Sequence, residues 1–111
     1  MFEQYVKLGR ETLEYLEKYR EVAASVKDIV KEDYKDAKVY VFGSVVSGRY
    51  TASSDIDVLI VSNEAVKEGA ASLKARILQR MGPSVPVEIH VATQREFVGW
   101  YLRFIDGLVE I

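Results

Sequence analysis

The residues best suited to chemistry are the two aspartates of Asp55-Ile56-Asp57, which open the apolar run Val58–Val61. Such a run predicts a β-strand, and residues two apart on a strand project from the same face, with β-carbons about 7 Å apart. Carboxylates this close repel each other unless a hard cation such as Mg²⁺ neutralises them. The pair therefore indicates a divalent-metal site, although by itself it also fits a solvated strand start.

A glycine-serine pair follows the preceding predicted strand, Lys38–Phe42. Gly43 lets the backbone approach an anion, and Ser44 adds a hydroxyl donor. Residues 45–47 are predicted to form one helical turn whose amides point at the same place, and Gly48 closes it. Such a pair alone is more often a simple turn. Beside two carboxylates it places an anion site next to a cation site, as a nucleoside triphosphate with Mg²⁺ requires.

A third strand is predicted at Pro86–Val91, where apolar residues alternate with Glu88 and His90. These two polar side chains therefore share one face of the strand. Glu88 is a further candidate metal ligand. His90, the only histidine of the chain, is either a polar residue at the margin of the sheet or a contact of the metal site, and its role stays open.

The elements that must position these residues follow from hydrophobic periodicity and capping signals. Helices are predicted at about 2–19, 22–34 and 64–81, the third capped by Asn63, and a last helix over 97–111 after a capping box at 93–96. The order is helix, helix, strand, strand, helix, strand, helix. It predicts an α+β (mixed α/β) domain with a small mixed sheet of three to four strands flanked by helices.

Length and composition restrict the classes of protein. The 111 residues suit a single domain, with N-terminal helices at about 2–34 and a core at about 37–111. A net charge of −2 argues against binding of nucleic acid by counterion release. The absence of cysteine excludes disulfides and thiolate metal sites. No apolar run reaches the length of a membrane span, and we expect a cytoplasmic protein.

Both terminal helices carry more apolar surface than one sheet face can cover. The first has a wide arc that includes several tyrosines, and the last is apolar nearly all round. We expect these helices to bind a partner protein or a second copy of the chain. The alternative is that the last helix forms the centre of the core.

Gly43-Ser44, Gly48 and Ser54-Asp55-Ile56-Asp57, at their spacing, resemble the GS-x(3)-G-x(5)-SD-x-D signature of the minimal nucleotidyltransferases. These belong to the DNA polymerase β-like superfamily. The resemblance implies transfer of a nucleoside monophosphate from an NTP, with release of pyrophosphate. The catalytic metal ligands it implies are Asp55, Asp57 and Glu88, which would hold Mg²⁺ or Mn²⁺. The residues it implies for binding the NTP are Gly43, Ser44, Gly48 and Ser54, and Arg49 is the nearby basic residue that could add to the hold on the triphosphate.

Two positions depart from the family pattern. Active members usually carry Asp where this chain has Glu88, which is one methylene longer and could displace the attacking group. Many members also carry Arg in the short helix after the Gly-Ser pair. Here residues 45–47 are uncharged and Arg49 is the first basic residue, so a weaker hold on the triphosphate is expected.

The resemblance also implies a partner. Minimal members are typically paired with a helical HEPN protein, commonly as antitoxin to its ribonuclease, and some transfer AMP to a tyrosine of that partner. The leading hypothesis is therefore a Mg²⁺-dependent enzyme that transfers AMP from ATP to a protein acceptor within such a toxin-antitoxin pair. The alternative is a weak or inactive binding module that neutralises a HEPN partner by occlusion. Nucleotidylation of a small molecule usually needs an acceptor-binding domain, which 111 residues leave no room for.

Overall fold

A four-stranded sheet lies at the centre of the computed structural model, which describes residues 1–111. The strands are β1 (Lys38–Phe42), β2 (Ile56–Val61), β3 (Val87–Ala92) and β4 (Val109–Glu110), in the spatial order β3-β2-β1-β4. β1 is antiparallel to both β2 and β4, whereas β2 and β3 are parallel. The sheet is mixed and flanked by helices, which confirms the predicted fold class.

Seven helical segments and one π-helical turn accompany the sheet. They are α1 (Phe2–Glu17), α2 (Tyr19–Lys31), α3 (Ser44–Ser47), α4 (Asn63–Glu68), α5 (Ala70–Met81), α6 (Gln94–Glu96), the π turn (Phe97–Tyr101) and α7 (Leu102–Phe104). The last three run on without a break as the C-terminal helix, residues 94–104. None of these helices combines the length and the apolar character that a membrane crossing needs.

The two faces of the sheet carry layers of different thickness. One face packs against α2 and α5, and its buried residues are Val39, Val41, Ile56, Val58, Ile60 and Ile89. The other face has a smaller buried cluster beneath the C-terminal helix, made of Leu59, Val61, Ala92 and Phe97. Because side chains alternate along β2, Asp57 belongs to this second, thinly covered face.

The predicted helix over residues 64–81 is interrupted, and its predicted cap is wrong. Gly69 adopts φ 118° and separates α4 from α5, a conformation that residues with a β-carbon rarely adopt. The N-cap is Ser62, whose Oγ accepts a hydrogen bond of 3.2 Å from the Ala65 amide. Asn63 Oδ1 instead accepts from the Gln94 amide at 2.9 Å, so it joins the starts of α4 and α6.

The N-terminal helices follow the prediction with shifted boundaries. The first break lies at Lys18, and α2 begins at Tyr19 and ends at Lys31, about three residues earlier at each end than expected. Gly9 in the middle of α1 lies against Ala52, so that a β-carbon at position 9 would be 3.5 Å from the Ala52 methyl carbon. Helix α1 thus reaches the loop between β1 and β2.

The prediction of a helix up to residue 111 is wrong beyond Phe104. Ile105 is extended, and Gly107 turns the chain with φ 71°. The chain then pairs along β1, with Val109 opposite Val41 and Glu110 opposite Tyr40. The free edge of β1 explains the change, because its backbone groups need partners that a longer helix could not supply.

Candidate active site

Strands β2 and β3 place three side chains with metal-ligand chemistry side by side. The parallel register sets Asp57 opposite Glu88 and Leu59 opposite His90. The ligand atoms of Asp57, Glu88 and His90 all lie within 4.8 Å of one another. His90 Nε2 is 3.2 Å from Asp57 Oδ1 and 3.9 Å from Glu88 Oε1. Carboxylate oxygens and an imidazole nitrogen suit a divalent transition metal, and the oxygens also suit Mg²⁺.

Gly43 sits directly over the carboxylate of Asp57. Phe42 is the register partner of Asp57, so the loop leaves β1 next to this side chain. A β-carbon at position 43 would lie only 2.5 Å from Asp57 Oδ2. Gly43 also has φ 89° and ψ −159°, a combination accessible essentially to glycine alone. Only glycine therefore allows the loop and this carboxylate to come together.

The predicted helical turn after Gly43 is present and begins one residue early, at Ser44. The Gly43 carbonyl accepts hydrogen bonds from the amides of Val46 and Ser47. Gly48 ends the turn in the left-handed conformation, with φ 76° and ψ 9°. The first amides of a helical turn have no partner within it, so the loop offers N–H donors beside the Asp57 carboxylate.

The remaining predicted site residues lie along the rest of this loop. Arg49 is exposed, and its backbone amide donates to the Ser44 carbonyl. Ser54 closes a turn, because its Oγ accepts a 2.9 Å hydrogen bond from the Thr51 amide. Asp55 is exposed and lies one residue before β2 begins, so the prediction that it starts the strand is wrong by one residue. It lies outside the group of three possible metal ligands, Asp57, Glu88 and His90, which we call the three-residue group.

Aromatic side chains border the site on the side of the C-terminal helix. The ring of Phe42 lies 5.2 Å from the His90 ring and 6.2 Å from Tyr101, and Tyr101 contacts Trp100 at 4.9 Å. Burial raises the pKa of Tyr101, and the negative charge of Glu96 adds to the effect. The Tyr101 phenol therefore stays neutral over a wider pH range than a free tyrosine.

His90 is the residue of this group whose role the sequence left open. Its spacing from Glu88 indicated a shared face, and the structure confirms this. The alternation along β3 could not show which residues of β2 lie opposite, because the register of a parallel pair depends on the whole crossover between the strands. That register is what brings the imidazole to Asp57.

The match to known proteins covers the elements that build this site. Residues 23–106 match the family model for the nucleotidyltransferase domain. This range includes the loop after β1, both aspartates and β3. The chain belongs to the nucleotidyltransferase domain family. The resemblance to the DNA polymerase β-like superfamily is thereby confirmed.

Solved structures show the same nucleotidyltransferase fold. One, the crystal structure of a candidate nucleotidyltransferase, is 34% identical, with a TM-score of 0.64, and the match covers 78% of this chain and 92% of that one. A second is the crystal structure of a candidate nucleotidyltransferase from Sulfolobus solfataricus, determined at 1.40 Å resolution. It is 22% identical with a TM-score of 0.56, and the match covers 95% of this chain and 83% of that one. The second likeness shows the fold alone. No protein of curated function gives a significant sequence match.

The residues present fit what a nucleotidyltransferase domain requires. Such domains act on an NTP and typically use a divalent metal. Asp57 and Glu88 present oxygen donors from adjacent strands. The close approach of Gly43 keeps the loop after β1 against the Asp57 carboxylate. Backbone donors that could hold an anion thus adjoin side chains that could hold a cation at the same edge of the sheet.

Proposed function

We propose that this nucleotidyltransferase domain transfers AMP from ATP to a protein acceptor, and that it is the antitoxin member of a pair with a helical HEPN toxin. The observation that carries the proposal is the position of Asp57 between Gly43 of the loop and Glu88 of β3. Residues 1–111 act as one minimal domain, in which helices at about 2–34 pack on a core at about 37–111.

The proposed reaction assigns a task to each part of the site. The loop from Gly43 to Gly48 holds the triphosphate through backbone amides and the Ser44 hydroxyl, with Ser54 and Arg49 on the same loop. Asp57, Glu88 and the exposed Asp55 hold Mg²⁺ or Mn²⁺. When bound, that cation offsets the negative charge that develops on the phosphates.

Glu88 orients the attacking hydroxyl of the acceptor and accepts its proton. The acceptor oxygen forms a bond to the α-phosphorus, and the bond from that phosphorus to pyrophosphate breaks. The Glu88 side chain is 58% exposed, so an acceptor held by a partner protein can reach it from solvent. This accessibility suits a macromolecular acceptor better than a small molecule that must be enclosed.

Exposed apolar side chains on both terminal helices support a protein partner. Phe2 and Tyr5 on α1 are 79% and 67% exposed, and Trp100 and Phe104 on the C-terminal helix are 51% and 63% exposed. Apolar and aromatic surface of this kind marks protein interfaces. Because α1 lies against Ala52, a partner on α1 would lie beside the segment that joins the proposed ATP-binding loop to β2.

A binding module without catalysis is the second candidate function. Asp55 lies outside the three-residue group, and Glu88 is longer than the usual Asp. Both features favour a site that binds its ligands but aligns the attacking group poorly, since misplacement by about 1 Å can cost 100-fold in rate. Such a domain would neutralise a HEPN partner by covering its active site.

The test uses the chain co-purified with its helical partner, incubated with ATP labelled at either the α- or the γ-phosphate, in parallel samples that contain Mg²⁺ or Mn²⁺. We expect the partner to carry label from α-labelled ATP and none from γ-labelled ATP. With Asp57→Asn or Asp55→Asn we expect no label on the partner. Asp28→Asn, an exposed aspartate on α2, is the matched control and should keep full labelling. Label that persists in Asp57→Asn contradicts the proposed catalysis. Absence of label from every NTP, with the partner still inhibited, supports the binding module.

A further inference from the structure

The group of Asp57, Glu88 and His90 has the nitrogen donor of His90 where the proposed carboxylate set has Asp55. Nε2 is the ring atom nearest the carboxylates, at 3.2 Å from Asp57 Oδ1 and 3.9 Å from Glu88 Oε1. The same nitrogen therefore lies near both acids. A histidine that served only as a polar residue at the sheet margin would not need to approach either.

The shorter of these two separations equals that of neighbouring ligand atoms around one small cation, and the longer one is close to it. Metal-ligand distances for nitrogen and oxygen are about 2.1 Å, which sets neighbouring ligand atoms about 3.0 Å apart at a right angle and about 3.4 Å apart at the tetrahedral angle. The Nε2 to Oδ1 distance falls within this range, and the Nε2 to Oε1 distance exceeds it by about 0.5 Å. Glu88 is long and exposed, so a small movement of its side chain closes the difference.

The position of the imidazole ring is fixed by its surroundings. The His90 ring lies tilted against Phe42 at 5.2 Å, and its side chain is only 28% exposed. Its backbone is held opposite Leu59 in the buried part of the parallel pair. A ring held in this way pays little entropy on binding a metal, as a preorganised ligand should.

We propose that His90 is a direct ligand of the site's cation through Nε2, together with Asp57 and Glu88. This ligand set favours divalent ions that accept nitrogen, such as Mn²⁺, Co²⁺ or Zn²⁺, over Mg²⁺, which binds oxygen almost exclusively in proteins. This inference rests on the proposed function, because it assumes that the site binds a divalent cation. It adds which class of divalent cation the site prefers. The competing interpretation is that His90 only donates a hydrogen bond to Asp57 and orients it.

A spectroscopic test can detect the ligand without enzyme turnover. His90 is the only histidine, so the untagged chain grown with ¹⁵N-imidazole histidine carries a single labelled ring. We expect the Mn²⁺ spin-echo spectrum to show nitrogen coupling that changes with the isotope and disappears in His90→Gln. A Mn²⁺ complex without nitrogen coupling in the wild-type chain overturns the proposal.

Metal titrations give a second measurement on the same proteins. His90→Gln should weaken Mn²⁺ and Co²⁺ binding by about tenfold or more, and Mg²⁺ binding by much less. Glu64→Gln, in the exposed acidic surface beside Glu68, is the control for adventitious binding and should leave all affinities unchanged. Equal loss for Mn²⁺ and Mg²⁺ means that His90 orients Asp57, which also overturns the proposal. Thermal unfolding of His90→Gln checks that the variant is folded.

The two proposals can fail separately. Nitrogen coupling with no transfer of nucleotide to any partner would contradict the proposed function and leave His90 as a ligand. Transfer that needs Mg²⁺, with no nitrogen coupling to Mn²⁺, would leave the function and remove His90 from the metal site.

Discussion

Gly43 and Asp57 lie in contact across the antiparallel pair of β1 and β2, so that a β-carbon at position 43 would come within 2.5 Å of Asp57 Oδ2. This contact holds the loop after β1, which we propose binds the triphosphate, against the carboxylate that we propose as a metal ligand. The positive φ of Gly43 separately disfavours any other residue. Both the site and the local backbone therefore depend on this glycine.

Gly43→Ala should destabilise the fold by about 1–3 kcal/mol, because alanine must adopt a strained conformation and displace Asp57. It should also abolish transfer of nucleotide. Urea unfolding and the labelling assay measure the two effects. Gly99→Ala is the control, since its added β-carbon meets nothing within 4 Å, and stability within about 1 kcal/mol of the wild type is expected. A Gly43→Ala variant that is both stable and active would refute the contact's role.

Glu88→Asp and Glu88→Gln separate the charge of this residue from its length. If Glu88 accepts the proton of the acceptor, Glu88→Gln should lower the transfer rate by about 100-fold or more. Glu88→Asp retains the charge and has the length usual in the family, so its rate should equal or exceed that of the wild type. Single-turnover labelling at saturating ATP measures both variants. Equal transfer rates with Gln and with Glu at position 88 would show that Glu88 does not accept the proton of the acceptor.

Phe104→Ser and Phe2→Ser test the exposed apolar surfaces. Both side chains are mostly exposed, so each change should alter the free energy of unfolding by no more than about 0.5 kcal/mol. Each should nevertheless weaken association with the partner or with a second copy, as measured by light scattering on a sizing column. Arg95→Ser, on the exposed polar part of the same C-terminal helix, is the control. Unchanged association in both phenylalanine variants would place the interface elsewhere.

The tyrosines predict a loss of stability in alkali. Burial raises the pKa of Tyr40 and of Tyr101, and the hydrogen bond with Glu68 raises that of Tyr34. In the unfolded chain these phenols ionise near pH 10, so their contribution is complete below pH 10 and is lost as pH rises through the folded-state values. Urea unfolding between pH 8 and 11 should show the decline, and Tyr101→Phe should reduce its slope. A slope that Tyr101→Phe leaves unchanged would exclude Tyr101 as a source.

Much of the central fold was predictable because its signals are local. The alternation in Lys38–Phe42 ends at a glycine, and β1 has those bounds. The capping box at Thr93 and Glu96 forms both of its hydrogen bonds. In both cases the residues that determine the structure are neighbours in the chain, and the same holds for the loop from Gly43 to Gly48.

The features that the sequence did not show depend on distant residues. The contact of His90 with Asp57 requires the parallel register of β2 and β3. The pairing of Val109 with Val41 requires an unoccupied edge on β1. The break at Gly69 depends on how α4 and α5 each meet the sheet, because an isolated glycine is often tolerated within a helix.

The short strand β4 also covers an edge of β1 that would otherwise be open. Its bonds to β1, the bond from the Ile111 amide to the Val39 carbonyl and that from Lys27 Nζ to the Ile111 carbonyl join the two halves of the chain. β1 lies much closer in the chain to β2 than to β4, so the β1–β2 pair closes a shorter loop. Before β4 pairs, β1 presents an open edge, to which a strand from another copy of the chain can add. Residues 109–111 thus protect this edge of the sheet against aggregation.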